Sequence, residues 1–354
     1  MVLKTKLLLY RFFSTEFGKL VLNAFSFGVK VQDLGPKKEK KHPFLVVITV
    51  DAEAGYVDKN ERRVWQKENP KAFQGYYSGI RNLLSVFKKH KIEATIFLST
   101  QCFSAQGKDR LLIDKELKNL LKNKHELGLH LHSDSDFAIQ KELSRKFNAT
   151  SAFFYNYEEK SEMIKAAREI IKKNLGKNAE KNLISFRWGN WALDTNGAKA
   201  LNKLGFKIDS SATPGLKGHF NDTMKYDWSK VKRRYPWKLS LRDYQATSHS
   251  NSSVTEMPIA TFDFFSFKLR ADPVNSLLLN KAFLQYYERA DRSERHFPFV
   301  VITHSSEATY EDGKTTIALK DLDNFISYAK KFDHIQFVSL REAYETIKNH
   351  KSFL

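Results

Sequence analysis

FLVVITVDAE, which runs from Phe44 to Glu53, says more about the architecture of this chain than any other stretch. Residues 44–50 are apolar apart from Thr49, as expected for a strand of a parallel sheet that is covered on both faces. The strand then ends in two carboxylates, Asp51 and Glu53. Parallel α/β folds place their chemistry at this end of their strands. The pair therefore predicts a functional site at the rim of a parallel sheet, although an ordinary acidic turn would have the same sequence.

Short strand-like runs alternate with helical segments from this strand to the end of the chain. Helices are indicated by apolar residues at i, i+3 and i+4 spacing within residues 80–87, 163–171 and 322–329. After the first strand, the runs with strand character are Ile92–Leu98, Glu126–Leu131, Leu183–Phe186, Phe206–Ile208, Val254–Pro258, Phe299–Thr303 and Ile335–Val338. About eight βα units in roughly three hundred residues are typical of a closed parallel barrel. We therefore predict an α/β fold with a distorted parallel (β/α) barrel of seven or eight strands, in one domain over residues 43–350.

The composition excludes several classes of protein. The 354 residues are 42% hydrophobic and 13% aromatic, which allows a large core and argues against a disordered chain. The single cysteine, Cys102, excludes an internal disulfide framework and a thiolate metal cluster, so a metal would need histidine and carboxylate ligands. The net charge of +19 could indicate nucleic acid or an anionic membrane as a partner. Its lysines are spread along predicted helices and no nucleic-acid motif accompanies them, so we expect no nucleic-acid partner.

Two segments differ from the barrel pattern. Residues 1–42 mix short apolar runs with isolated Lys and Arg, are too interrupted to span a bilayer, and lack the cleavage site of a signal peptide. They predict an amphipathic basic extension that lies on a membrane surface or packs on the barrel, followed by a Lys-rich linker. Residues 217–251, rich in Trp, Tyr, Arg and Ser, have no periodicity and predict a long loop over the barrel mouth.

Ionisable residues recur where the predicted strands end. HELGLHLHSDSDF, residues 125–137, places His130 and His132 on the same side of an extended segment and Asp134 two residues further. Two imidazoles and a carboxylate in this pattern are typical of a metal site, whereas a lone histidine is not. Other predicted strands end in Arg187, Asp209 and His304. A purely structural barrel has no use for ionisable groups at five strand ends, so we predict that they form a site.

The first two motifs resemble those of the polysaccharide deacetylases of the NodB homology domain, carbohydrate esterase family four. The segment Thr49–Glu53 is similar to a variant of the first motif in which the two acids are separated by one residue. The segment His125–His130 is similar to the second motif, with Asp134 four residues after His130. A branch of the family reads GLHLHP here, and His132 matches its second histidine.

The remaining motifs follow in the family's order, so the resemblance extends over roughly residues 43–345. Arg187 matches the third motif, although Gly189 replaces the usual proline two residues later. His304 matches the last motif, a histidine after an apolar strand. The segment Glu256–Pro258 also resembles the GLHLHP branch. The resemblance implies a TIM-barrel-like deacetylase fold.

The resemblance also implies a role for each acid and histidine. Asp51 becomes the catalytic base, and Glu53 and His130 become ligands of a divalent metal ion, with zinc as the first choice. Either His132 or Asp134 is the third ligand. The family's last motif makes His304 the acid that protonates the leaving amine, a task suited to imidazole.

Four further residues receive supporting roles. A guanidinium at Arg187 would orient the carboxylate of Asp51, unless it forms a structural ion pair. Asp209 would orient Arg187 or His304, or cap a helix. Trp188 and Trp191 could form a stacking wall for a sugar ring, but they could equally belong to the core.

Three functions are therefore compatible with the sequence. The first is a metal-dependent hydrolase that removes an N-acetyl group from an amino sugar in a glycan or glycan precursor, with that sugar as its partner. The second is a catalytically silent homologue that binds carbohydrate, suggested by Ala52, Gly189 and the open third ligand. The third is a basic peripheral protein that contacts a membrane through residues 1–42. We expect the first, in the cytoplasm and with possible membrane association.

Overall fold

The computed structural model describes residues 28–32, 34, 39–65, 69, 72–149, 151–220, 223–247, 252–273 and 276–349. Residues 1–27 and part of the Lys-rich linker lie outside these ranges, so the predicted amphipathic extension is largely outside the described residues. Within the described ranges, no helix is both long and apolar enough to cross a membrane.

Sixteen strands and nine α-helices are present in the described residues. The strands are β1 Val29–Lys30, β2 Phe44–Ala52, β3 Gly55–Val57, β4 Arg63–Trp65, β5 Thr95–Ser99, β6 Glu126–Leu131, β7 Ser185–Trp188, β8 Ile208–Asp209, β9 Lys217–Phe220, β10 Thr223–Asp227, β11 Trp237–Lys238, β12 Thr255–Glu256, β13 Thr261–Phe264, β14 Phe267–Arg270, β15 Phe297–His304 and β16 Ile335–Phe337. The helices are α1 Ile80–His90, α2 Gly107–Lys122, α3 Phe137–Glu142, α4 Tyr157–Leu175, α5 Lys177–Lys181, α6 Thr195–Lys203, α7 Ser276–Arg289, α8 Ile317–Ala329 and α9 Leu340–Lys348. The three helices predicted from periodicity are confirmed as α1, part of α4 and part of α8.

Seven strands form a distorted barrel. They lie side by side in the order β12, β8, β7, β6, β5, β2, β15, and each neighbouring pair is parallel. A parallel bridge between Ile259, just after β12, and Val300 in β15 joins the two ends. The eighth predicted strand is present as β16. It pairs parallel with residues 44–46 at the start of β2 and is not part of this ring. The predicted α/β barrel is thus confirmed, with seven strands in the ring.

Two apolar clusters lie on opposite faces of the strands. In β2, Leu45 and Val47 belong to the cluster inside the barrel. The alternate residues of the same strand belong to the cluster between barrel and helices: Phe44, Val46, Ile48 and Val50. Because side chains alternate along a strand, the inner face of β2 continues through Thr49 to Asp51 and Glu53. This alternation places both acids at the carboxyl end of the barrel interior.

Helix α9 closes the amino-terminal end of the barrel. Its apolar residues pack with the inner residues of the strands: Leu340, Ala343, Tyr344 and Ile347. The backbone N–H of Leu340 donates to Oγ1 of Thr95, and that of Arg341 donates to the carboxylate of Glu126, both at 2.8 Å. Free N–H groups at a helix start need such acceptors. The predicted functional residues lie at the opposite end.

The segment 217–251, predicted as a long loop over the barrel mouth, contains strands in its described part and is therefore not a simple loop. Its strands β9 and β10 form an antiparallel hairpin. Behind them Trp228 is fully buried and packs edge-on against Trp237 and Tyr244. These aromatic residues form the local core of the insertion, which neither helical nor strand periodicity reveals. In the hairpin, Tyr226 packs against Trp191, which follows β7.

The described end of the N-terminal extension packs on the barrel domain. Strand β1 pairs antiparallel with β13, and Val29 and Val31 are buried. Gln285 of α7 accepts a hydrogen bond from the N–H of Val31 at 2.7 Å. At least residues 29–31 therefore belong to the folded structure rather than to a free extension.

Candidate active site

The acids and histidines predicted from the sequence converge at the carboxyl rim of the barrel. Each lies on the inner face of its strand or just beyond the strand's end: Asp51, Glu53, His130, His132, Arg187 and His304. All six side chains are buried, with exposed fractions between 0% and 8%. The rim therefore gathers two carboxylates, three imidazoles and a guanidinium in a small, largely dry volume.

Asp51 is held by one oxygen and faces two histidines with the other. Its Oδ1 accepts a hydrogen bond from Nη1 of Arg187 at 2.7 Å. Its Oδ2 lies 3.9 Å from Nε2 of His130 and 3.9 Å from Nε2 of His304. One oxygen is thus fixed by charge, while the other lies between the histidines of two different strands.

Arg187 is fixed on several sides. Its Nε donates to the carbonyl oxygen of Ser210 at 2.7 Å, and Nη2 donates to the hydroxyl of Ser210 at 2.9 Å. Nη1 also donates to Oγ1 of Thr49 at 3.0 Å, and the guanidinium lies 4.3 Å from the ring centroid of Phe97. A lysine could not make this set of planar contacts. The position of the Asp51 carboxylate is therefore set by a rigid partner.

Glu53, His130 and His132 form a group that could hold a metal ion. Oε1 of Glu53 lies 2.8 Å from Nε2 of His130 and 3.0 Å from Nε2 of His132. One donor atom from each residue lies within 4.8 Å of the other two. A second, overlapping group with the same property consists of Asp51, Glu53 and His304. Imidazole nitrogen and carboxylate oxygen are the donors that zinc takes in the absence of cysteine.

The surroundings of this group favour a positive charge. Nδ1 of His130 lies 3.0 Å from the carbonyl oxygen of Arg187, a contact that directs Nε2 towards Glu53. Burial alone would lower the pKa of His130, but Asp51 and Glu53 outweigh it and raise that pKa. Burial alone would raise the pKa of Glu53, yet Arg63 and His132 hold it well below its ordinary value. The donor chemistry and the electrostatics therefore both fit a divalent cation.

The two alternatives for the third ligand differ in their contacts. His132 contacts Glu53, whereas Asp134 is not part of either group of potential ligands in the described residues. A Cβ placed on Gly189 would lie 2.5 Å from Cγ and Nδ1 of His132, so the absence of a side chain at position 189 makes room for the imidazole. Glycine in place of the family's usual proline thus accompanies the second histidine. We accordingly take His132, and not Asp134, into the proposed site.

His304 has a carboxylate partner that the sequence did not reveal. Its Nδ1 lies 3.0 Å from Oε2 of Glu307, in the short helical turn that follows β15. This contact leaves Nε2 on the side of Asp51. Burial alone would raise the pKa of Glu307, but His304 and Arg63 outweigh it and lower the pKa to about 2. The partner of His304 is therefore an ionised carboxylate.

Arg63 links this carboxylate to Glu53 and was also missed. Its Nη1 lies 3.2 Å from Oε1 of Glu307, and its Nη2 lies 2.5 Å from Oε2 of Glu53. Arg63 begins β4, which pairs with β3 directly after the first motif. No sequence motif marks this arginine. Three carboxyl groups, of Asp51, Glu53 and Glu307, therefore lie beside the two guanidinium groups of Arg63 and Arg187.

Asp209 does not take the position expected of it. Its carboxylate accepts hydrogen bonds from the N–H and hydroxyl of Ser211, both at 3.0 Å, and it caps no helix. It pairs with Glu256 of the neighbouring strand, whose pKa is raised well above its ordinary value by burial and by the charge of Asp209. The reason is strand alternation: Ile208 faces the barrel interior, so Asp209 faces outwards, and Ser210 contacts Arg187 instead.

The two tryptophans after Arg187 differ in position. Trp188 is 1% exposed and packs edge-on against Phe186 in the outer cluster, so it cannot form a stacking wall for a sugar. Arg187 faces inwards and Trp188 is the next residue along the strand, which explains its outward direction. Trp191 is half-buried and packs against the inner cluster. Of the two, Trp191 is the one with exposed surface to offer a ligand.

The chain is similar to polysaccharide deacetylases in sequence. The family model for polysaccharide deacetylase matches residues 74–208. This range includes His130, His132 and Arg187, but it contains neither the first motif nor His304. No curated protein sequence matches the chain.

Solved structures show the same fold at low sequence identity. A protein described as a polysaccharide deacetylase from Mycobacterium smegmatis is 14% identical with a TM-score of 0.57, over 90% of this chain and 95% of that one. A protein described as a glycoside hydrolase/deacetylase from Parabacteroides distasonis is 12% identical with a TM-score of 0.58, over 88% and 72%. Puue allantoinase is 12% identical with a TM-score of 0.54, over 86% and 89%. The GLHLHP branch stays a prediction, but the predicted resemblance is confirmed: the chain is similar to the polysaccharide deacetylases in sequence over residues 74–208, and it shares the fold of these solved structures over most of its length.

Proposed function

We propose that this chain is a metal-dependent hydrolase that removes the acetyl group from an N-acetylated sugar in a glycan or glycan precursor. The position of Asp51 carries the proposal. One of its oxygens is bound to Arg187, and the other lies 3.9 Å from both His130 and His304. A carboxylate between a potential metal ligand and a potential acid supports the proposal, because hydrolysis of an amide by water needs a base near both.

Glu53, His130 and His132 would hold the ion, for which zinc is our first choice. When bound, a divalent ion lowers the pKa of a coordinated water and polarises the acetyl carbonyl. Nδ1 of His130 is occupied by the carbonyl oxygen of Arg187, so Nε2 keeps a lone pair for a metal. Arg63 holds the second oxygen of Glu53 and orients the first towards the two histidines.

Asp51 would accept the proton of the attacking water. Arg187 donates a charge-assisted hydrogen bond to this carboxylate and prevents its rotation. His304 would deliver a proton from Nε2 to the leaving nitrogen, while Glu307 contacts Nδ1 and keeps the ring oriented. Asp51 would thus accept one proton and His304 would donate another. Arg187 orients the first group and Glu307 orients the second.

Acetate release from a panel of N-acetylated sugars, nucleotide sugars and oligosaccharides tests this function. We expect the zinc-loaded protein to release acetate from at least one of them, to lose this activity with a chelator, and to regain it with zinc. A protein that binds zinc and oligosaccharide but releases no acetate would instead be the silent homologue. We assign the activity to one barrel domain over residues 43–350. The cytoplasmic location stays a prediction, as does the contact of residues 1–42 with a membrane.

A further inference from the structure

Asn190 and Trp191 follow β7 at the rim and share an unusual backbone conformation. Their φ angles are 53° and 56°, in the left-handed region that residues with large side chains rarely adopt. Two successive non-glycine residues of this kind persist only where the surrounding structure holds them, and such strain is concentrated at ligand sites. The conformation fixes where the Trp191 indole is presented.

Arg270, at the end of β14, stacks on this indole. Its guanidinium carbon lies 3.9 Å from the ring centroid of Trp191. Nε of Arg270 and Nε1 of Trp191 are both buried, and neither has a hydrogen-bond partner among the described residues. Two adjacent N–H donors without an acceptor are costly unless a ligand or water supplies one. Each residue as a whole is only half-buried, so part of each side chain is open to a ligand although these two nitrogen atoms are covered.

The nearest acid on the same hairpin does not neutralise Arg270. Asp263 in β13 forms an ion pair with Lys268 at 2.5 Å. Lys268 and Arg270 lie on the same strand, two residues apart, and Asp263 engages the first of them. The second cation is left facing the aromatic ring of Trp191.

Both members of the Arg270–Trp191 pair are tied to the proposed catalytic centre. Trp191 lies two residues after Gly189, where an added Cβ would lie 2.5 Å from the imidazole of His132. On the other side, the carbonyl oxygen of Ala271, the residue after Arg270, accepts a hydrogen bond at 3.0 Å from the N–H of Ile302, two residues before His304. Two residues of extended chain span at most about 7 Å. A substituent on a sugar whose acetyl group lies between His132 and His304 is therefore within reach of the pair.

We propose that Arg270, stacked on Trp191, binds an anionic group of the substrate, a carboxylate or a phosphate, so that the substrate is an acidic N-acetylated saccharide. This inference rests on the proposed function, which supplies the N-acetylated sugar. The binding of an anionic group by Arg270 can nevertheless be measured without hydrolysis. A guanidinium on an aromatic face suits a planar or tetrahedral oxyanion, which also accepts from the indole N–H.

Binding to the zinc-loaded Asp51→Asn variant tests this proposal without turnover. Isothermal titration would compare N-acetylglucosamine, its 1-phosphate and an N-acetylated amino-sugar uronic acid, and the last two distinguish phosphate from carboxylate. We expect at least one acidic sugar to bind about tenfold more tightly than the neutral one, as charge-assisted contacts allow. Adding Arg270→Gln should reduce that preference to less than twofold, while Arg270→Lys should keep part of it.

Arg145→Gln in the same background is the matched control. Arg145 also stacks on an aromatic ring, that of Phe147, but it is paired with Glu159 elsewhere on the surface. Arg145→Gln removes the same charge as Arg270→Gln, and it should leave the preference for the acidic sugar unchanged. Equal affinity for acidic and neutral sugars, or a preference that survives Arg270→Gln, would overturn the proposal. Affinity is measured here without hydrolysis. Failure to find acetate release would therefore refute the proposed function but would not decide whether Arg270 binds an anionic group.

Discussion

Replacing Gly189 by alanine tests whether His132 completes the metal site. The new Cβ would lie 2.5 Å from Cγ and Nδ1 of His132 and 2.6 Å from its Cε1. Ordinary contacts between non-bonded carbons are about 3.5–4.0 Å, so the imidazole must move by about 1 Å. Disturbing what orients a metal ligand typically costs about 10- to 100-fold in affinity. A displacement of about 1 Å can cost on the order of 100-fold in rate. We therefore expect Gly189→Ala to bind zinc about 10- to 100-fold more weakly and to react on the order of 100-fold more slowly than the wild type.

Competition with a chelating dye would measure the zinc affinity of Gly189→Ala, and urea unfolding would show that the variant folds. Gly107→Ala is the control, because a Cβ there meets nothing within 4 Å although its φ is 55°. That variant should lose about 1 kcal/mol of stability and no zinc affinity. Asp134→Asn should likewise keep its zinc. If Gly189→Ala bound zinc within twofold of the wild type, or Asp134→Asn lost it, the choice of His132 would be wrong.

Three further substitutions test the roles of Glu307, Trp188 and His125. Glu307→Gln removes the charge beside Nδ1 of His304, so kcat should fall about 10- to 100-fold with zinc content unchanged, and an unaltered rate would count against Glu307. Trp188→Phe should lower the free energy of unfolding by about 1–3 kcal/mol without raising KM, because the side chain is core; a raised KM without lost stability would restore it to the sugar site. Burial lowers the pKa of His125 to about 4, below the ordinary value of about 6.5, so the unfolded chain binds the proton first and stability is lost as the pH falls from about 6.5 to about 4. Urea unfolding of His125→Asn should show a smaller loss over this interval, and an equal loss would contradict the assignment.

The strands and the residues at their ends could be predicted because both signals are local. A buried parallel strand is a continuous apolar run, and its alternation fixes which of the residues after it face inwards. That rule places Asp51, His130 and His304 inside the barrel. The same rule, applied to Trp188 and Asp209, would have turned both outwards, because each follows an inward-facing neighbour by one residue.

Arg63 and Glu307 could not be found in this way because their roles depend on contacts between distant segments. Arg63 is ten residues from Glu53 but 244 residues from Glu307 in sequence, and it contacts both. Neither residue has a helical or strand period that marks it as functional. The insertion at residues 217–251 was misjudged for a related reason, since its aromatic residues pack on one another without a regular spacing.

Zinc content and acetate release, measured on one preparation of Asp51→Asn, test the central claim that the two acids of FLVVITVDAE have separate functions. Asp51 contacts Arg187 and would act as the base, whereas Glu53 contacts both potential metal-binding histidines. We predict that Asp51→Asn keeps the zinc content of the wild type and loses acetate release by at least about 100-fold, in line with the usual contribution of a general base. Acetate release at the wild-type rate, or loss of zinc together with activity, would contradict this division of roles.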